Sequence, residues 1–253
     1  MCKEGLPPFS IAERTPPCLS VRMRGAVDNS LAVTEVLMKL KSLSFLALSA
    51  LLLAGCKTTV STAVNYSDFF APAAYVNSKL SIEIPACKDH ESGFDSSSLL
   101  EVKNRVPTVF PKAKFMRCRK IEFNSYAEFS IPVRVGATEE PCANSDICIM
   151  PGAKDSTTVV ATTSPEFRDG YKRLQSSMSQ TMETEIQMNV TNNTSADIPL
   201  AIISMMINGN PYHYSVFQLG KGQSADFTLS DVCTESILKG RNTVLFFKNG
   251  EKE

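Results

Sequence analysis

The sequence predicts an α+β protein: a ferredoxin-like βαββ(β)α unit over 79–180, then a small antiparallel β-meander or sandwich over 181–253. Three observations lead there. Up to about residue 180, strand-like and helix-like periodicities follow in the order β-α-β-β-β-α, close to a split βαβ. Beyond that point the chain alternates in period two and is punctuated by hairpin turns. No internal repeat of roughly 20–50 residues is visible, so a solenoid or propeller is not expected.

Leu80, Ile82 and Ile84 alternate with Ser81 and Glu83, the pattern of a half-buried strand that stops at Pro85. A polar loop runs from Lys88 to Asp95. Ser98 and Glu101 then form a capping box, in which each side chain satisfies an otherwise orphaned backbone N–H. Leu99, Val102 and Val106 share one helical face, and Pro107 is expected to stop the helix. After the apolar turn Val109-Phe110-Pro111, Phe115–Phe123 and Tyr126–Val135 read as a hairpin around Asn124-Ser125. In its second arm Ala127, Phe129, Ile131, Val133 and Val135 face inward.

Glu139–Lys154 reads as a loop and Thr157–Thr162 as a short β-branched strand. Ser164-Pro165-Glu166 supplies an N-cap, a proline at the first helical position and an early carboxylate. Phe167, Tyr171, Leu174 and Met178 extend that helix as a buried stripe. Thr184–Thr191 follows as a strand and Asn192-Asn193 as a turn. Ile198–Ile207 is a buried strand, and Asn208-Gly209 makes a hairpin because both residues tolerate positive φ. Tyr212–Leu219 returns, Gly220-Lys221-Gly222 turns again, and Ala225, Phe227 and Leu229 form the next strand. Ser230-Asp231 caps a short helix ending near Gly240, before a last strand, Thr243–Phe247.

Formal net charge is zero, with no long run of one sign, which argues against nucleic acid as partner. Tryptophan is absent, so an interfacial aromatic belt is not expected. Besides Cys56, the region after residue 55 holds Cys87, Cys118, Cys142, Cys148 and Cys233. The preferred pairs are Cys87–Cys118 and Cys142–Cys148, which leave Cys233 odd. A metal role is disfavoured, because neither spacing is C-x-x-C and no histidine lies near Cys118, Cys142 or Cys148.

Lys39 and Lys41 precede an apolar run, Leu43 to Leu53, that closes on Leu53-Ala54-Gly55-Cys56. The run is about eleven residues, the length of a signal-peptide core and too short to cross roughly 30 Å of hydrocarbon. No second segment is long and apolar enough to span a bilayer; Pro199–Ile207 is only strand length. The four residues at its end resemble the lipobox of bacterial lipoproteins. The resemblance implies cleavage after Gly55 and acylation of Cys56, so that grease holds the domain to a membrane. It also implies, through Lys57, passage to the outer membrane, facing the periplasm. An ordinary secretory signal with Cys56 incidental is the alternative. An oxidising periplasm permits the proposed disulfides. The expected organisation is then a leader or mis-assigned start at 1–37, a signal peptide at 38–55 beginning with Met38, and a tether at 56–78 before the two folded units. The tether is Thr/Ser/Ala/Asn-rich, with docking of Phe69, Phe70 and Tyr75 on the domain as the alternative.

No catalytic set converges. Cys87-Lys88-Asp89-His90-Glu91 holds a thiol, a base and carboxylates, yet adjacent residues on an extended loop point apart, and a catalytic Cys–His pair needs distant segments. Only His213 remains as a further imidazole. Ser96-Ser97-Ser98 lacks a G-x-S-x-G elbow. Glu139-Glu140 reads as a solvated pair, and Arg117, Arg119 and Lys120 with Glu122 as an exposed strand face, the lining of an anionic site being the alternative. No G-x-G-x-x-G, P-loop or H-E-x-x-H occurs, and neither cofactor nor metal is expected.

Ala54-Gly55-Cys56-Lys57-Thr58-Thr59-Val60, Ile84-Pro85-Ala86-Cys87-Lys88-Asp89, Val109-Phe110-Pro111 and Ile131-Pro132-Val133-Arg134-Val135-Gly136 together resemble a family of lipoproteins carried by enterobacteria and their prophages. The resemblance supplies no catalytic residue. It implies a non-catalytic, lipid-anchored envelope protein whose partner is an envelope protein or cell-wall component. Exclusion of related phages at an outer-membrane receptor, and an envelope enzyme using Cys233 or a carboxylate, are the two alternatives.

Overall fold

The strand that decides the architecture is β1, Cys56–Asn65. Thr58, Val60, Thr62 and Val64 point one way and are buried, and their β-branched side chains suit a pleated surface. β1 pairs in parallel with β7 (Met182–Thr191) along its whole length and antiparallel with β2 (Ala74–Ile84). It therefore joins segments that the sequence assigns to separate units. The computed structural model describes residues 56–144, 146–153, 156–177 and 182–248. Met178 and the cleavage residues Leu53, Ala54 and Gly55 lie outside them.

The other strands are β3 (Lys114–Ile121), β4 (Asn124–Val135), β5 (Ile147–Pro151), β6 (Thr158–Thr163), β8 (Ile198–Ile207), β9 (Asn210–Leu219), β10 (Ser224–Leu229) and β11 (Thr243–Lys248). Hydrogen bonding runs β10-β7-β1-β2-β4-β5-β6-β11-β8, and β8 returns to β10, closing a nine-stranded barrel. β3 and β9 lie outside the ring, on β4 and β8. Closure depends on a bend in β8. Its one edge pairs β11 at Leu200–Ile202 and β10 at Met205–Ile207, and between them Ser204 adopts φ 50. The Ser204 carbonyl, turned out of the ladder, accepts from Ser230 N–H at 3.3 Å.

This corrects the expected fold. There is no ferredoxin-like βαββ(β)α unit with a separate meander, and residues from 56 onward form one compact unit. Residues 56–78 are not a tether: they form β1, a 3-10 turn at Tyr66–Phe69 and the start of β2. β5, inside the expected 139–154 loop, is the second strand missed.

Three helices pack at the end of the barrel where β1 begins: α1 (Ser97–Val109), α2 (Pro165–Ser177) and α3 (Asp231–Leu238). Val106, Phe110, Phe167, Tyr171, Leu174 and Leu238 meet Val60, Leu80, Ile82 and Met182 around one small apolar space. Each fully buried large side chain of this kind contributes roughly 1.5–3 kcal/mol. α1 and α2 touch closely at Gly170, where a Cβ would lie 3.2 Å from the Thr108 carbonyl oxygen. The cap of α1 is Ser96, which accepts from Leu99 N–H at 3.1 Å, not Ser98, and Pro107 sits inside the last turn rather than ending it. Ser164 caps α2 as expected. At the other end the 3-10 turn drives Phe69 into the core, where its ring meets Phe246 edge-on at 5.4 Å.

Candidate functional site

A cleft of about 1140 Å³ opens at the end where β1 finishes. Tyr66 of the 3-10 turn and Phe70 just after it, with Met150, Val160 and Ile198, make an apolar floor. Residues 137–140 after β4, 152–153 and 156–157 between β5 and β6, and 194–197 between β7 and β8 make the walls, with Pro151, Asn242 and Lys248 beside them.

Polar side chains bonded to backbone hold these walls. Arg134 on β4 is 8% exposed, and its guanidinium donates to Thr138 Oγ1 at 2.7 Å and to the Glu140 and Pro141 carbonyls at 3.1 Å. A planar fork suits three acceptors on one loop. The Cys142–Cys148 disulfide ties the far side of that loop to β5. Tyr75 donates to Asp146 at 2.6 Å, and that hydrogen bond raises the phenol's pKa. Across the cleft, Asn192 is fully buried: its amide donates to the Ala196 and Leu219 carbonyls at 2.8 Å, and its oxygen accepts from Thr194. Asp197 accepts from Lys221 N–H at 2.8 Å. Asn193 clasps Ser67 of the 3-10 turn in both directions. Gly136, at φ 117, lets the chain at Ala71 pass within contact of β4; a Cβ there would lie 2.6 Å from the Ala71 oxygen. The walls are thus braced, and Glu139, Glu140 and Asp197 are left at the rim as exposed carboxylates.

The residues singled out in the sequence fall elsewhere. Both expected disulfides are present, Cys87–Cys118 and Cys142–Cys148, and Cys233 is a free, half-buried thiol 3.8 Å from the Ser204 carbonyl oxygen. Cys56 is the first residue of β1, opposite Met182. In the Cys87–Glu91 segment, Asp89 accepts from Ser92 N–H, Ser92 Oγ and Glu91 N–H, and the Ser92 bonds chiefly lower its pKa. It closes a loop rather than serving a reaction. His90 lies on that loop and His213 on β9. Among the described residues, no group of three His, Cys, Asp or Glu side chains is placed to hold a metal.

Arg117 and Arg119 turn onto Glu128 of β4, each Nε 2.7 Å from one of its oxygens. Glu128 is 1% exposed. Burial pushes its carboxyl up, but the Arg117 hydrogen bond and the charges of Arg119, Arg117 and Lys79 outweigh this, and the pKa falls. The basic face of β3 therefore serves an internal carboxylate. Glu128, Arg134 and Asn192 were not distinguishable in the sequence. The first two were readable only as charges interrupting an apolar strand, the third only as a turn residue.

Fold and cleft together define a closed nine-stranded barrel with helices across one end and a braced, apolar-floored cleft at the other. The chain belongs to the family described as domain of unknown function (DUF7424), whose model matches residues 58–252. No curated protein and no solved structure matches it.

Proposed function

We propose that the chain is a lipid-anchored lipoprotein of the bacterial outer membrane, facing the periplasm, whose barrel binds an envelope protein or cell-wall component at the end cleft without catalysis. The observation that carries this reading is the placing of Cys56. The lipobox-like cysteine is the first residue of β1, and the cleft lies past the last, roughly 30 Å away at strand rise. An anchor at one end leaves the binding surface at the other free to face outward. The two disulfides suit export to an oxidising compartment.

The cleft supports binding rather than chemistry because its best-placed polar groups, Arg134 and Asn192, are spent on bracing loops. Two measurements test the reading. Labelled palmitate enters the wild-type chain and not Cys56→Ser, and globomycin blocks maturation; absence of both removes the anchor. In pull-downs from detergent-solubilised envelopes, Ser195→Trp, which fills the cleft, loses the component that wild type captures. Equal capture by both proteins overturns the cleft as the binding site.

A further inference from the structure

The end of the barrel opposite the cleft has its own surface chemistry. Among the described residues the two most open large apolar side chains are Phe123, 93% exposed, and Phe94, 77% exposed. Single exposed apolar residues are ordinary on protein surfaces. These two are not independently placed. Phe123 is in the β3–β4 turn, and Phe94 is on the loop that leaves β2 just after Ile84. The Cys87–Cys118 disulfide fastens that loop to β3.

Strand register says where the β3–β4 turn stands relative to the point at which the chain enters the barrel. Thr58 pairs with Ile82 and Ile82 with Ala127; two residues on, Ile84 pairs with Ser125. Cys56 is therefore level with Ser125, two strands away, about 10 Å to the side. Phe123 lies two residues beyond Ser125, and so projects about 7 Å past Cys56 along the strand direction. The entering chain has no slack, because Cys56 is already opposite Met182 in the sheet. Whatever holds residue 56 at a membrane holds the β3–β4 turn there as well.

We infer that the β3–β4 corner of this end touches the phospholipid bilayer, with Phe123 and Phe94 seated at its headgroup–acyl boundary. The inference rests on the anchoring reading above and adds a second contact to it. The depth fits, since interfacial side chains settle about 5–10 Å into that boundary. Lys88 lies on the Phe94 loop and Lys57 is the second residue of β1; both are half or more exposed and pair with Asp95 and Glu185. The disulfide then holds two insertion points at a fixed spacing, which orients the barrel rather than leaving it to swing from its acyl chains.

The absence of tryptophan makes the test clean, because one substitution installs the only indole. Phe123→Trp, Phe94→Trp and, at the cleft end, Phe70→Trp are made in the full chain. Each acylated product is reconstituted into phosphatidylethanolamine–phosphatidylglycerol vesicles with and without dibrominated phosphatidylcholine. Trp at 123 and 94 is expected to shift to the blue and to lose about half its emission to the bromolipid, as a side chain at that depth does, while Trp at 70 is unaffected. A protein that co-floats with vesicles yet shows equal, water-like emission at all three positions keeps its anchor and overturns the surface contact alone. A protein that fails to co-float overturns both. A blue shift that grows with protein concentration in the absence of lipid assigns the two rings to a second copy of the chain and overturns the bilayer.

Discussion

The two ends of the barrel are closed by different means. Where β1 begins, three helices press apolar side chains, Val106, Phe167, Tyr171, Leu174 and Leu238 among them, onto the inner faces of β1, β2 and β7. Where β1 ends, closure is by a short aromatic turn, and the surrounding loops are set by Arg134, Asn192, Asn193 and a disulfide. Apolar packing is non-directional and cooperative, so the first end shares in global stability. Hydrogen bonds from one side chain to one loop are directional and local, so the second end can hold a particular shape over little buried area. The binding surface proposed above lies at this second end.

The strongest test of this contrast is Phe167→Ala. It empties a fully buried site where α2 meets Phe110, and it is expected to cost about 3–5 kcal/mol of global stability, read as a lower urea midpoint. Asn192→Ala acts at the other end. It removes the amide that donates to the Ala196 and Leu219 carbonyls and the oxygen that accepts from Thr194 N–H, costs about 1–3 kcal/mol, and raises amide hydrogen exchange chiefly across 193–198. An equal rise in exchange across α1 and α2 would mean that the two ends are not separable. Joint Cys142→Ser and Cys148→Ser replacement opens a short loop and lowers stability by about 2 kcal/mol, with the loss greatest in the 138–146 wall.

The smallest effect concerns pH. Lys103 and Lys88 both hydrogen-bond Asp95 and pull its carboxyl from 3.8 to about 2. A carboxyl whose pKa is lower folded than unfolded adds stability above its unfolded value and loses it as pH falls through its folded one. Native stability should therefore drop as pH falls from 3.8 towards about 2, and Lys103→Met should flatten that slope. Added salt should weaken the effect, because Asp95 is only partly buried and Lys88 is exposed. Glu128 behaves in the same sense, its contribution present above 4.5 and fading as pH falls below it. A Lys103→Met slope equal to wild type would leave Glu128 and other carboxylates as its source.

Much of the local structure was readable. The Ser164-Pro165 start of α2, the Asn208-Gly209 turn, the Ser230 cap of α3 and the two cysteine pairs stand where short-range rules put them. The Asn208-Gly209 turn takes φ 48 and 80, the conformation those two residues tolerate. The hairpin before it was shifted: Glu122 and Phe123 make the turn, with Glu122 at φ 54, because β4 starts at Asn124. The capping box at Ser98 misled because Ser96 also fits, and only the position of the Ala86 carbonyl, which accepts from both hydroxyls, places the cap. β1 was lost to composition. Its Thr, Ser and Ala residues read as a tether, although Thr58, Val60, Thr62 and Val64 alternate as a strand should.

Losing that one strand changes the fold class. Without β1 the remaining order looks like two separate units; with it, β2 and β7 become neighbours in one ring. Periodicity, caps and turn residues are carried by residues a few positions apart, so the amino-acid order suffices to set them. Ring closure, the bend at Ser204 and the ties from Asn193 to Ser67 and from Asn192 to Leu219 join residues tens of positions apart. Those pairings are selected by which apolar faces can be buried together, and that exists only once the chain has closed on itself.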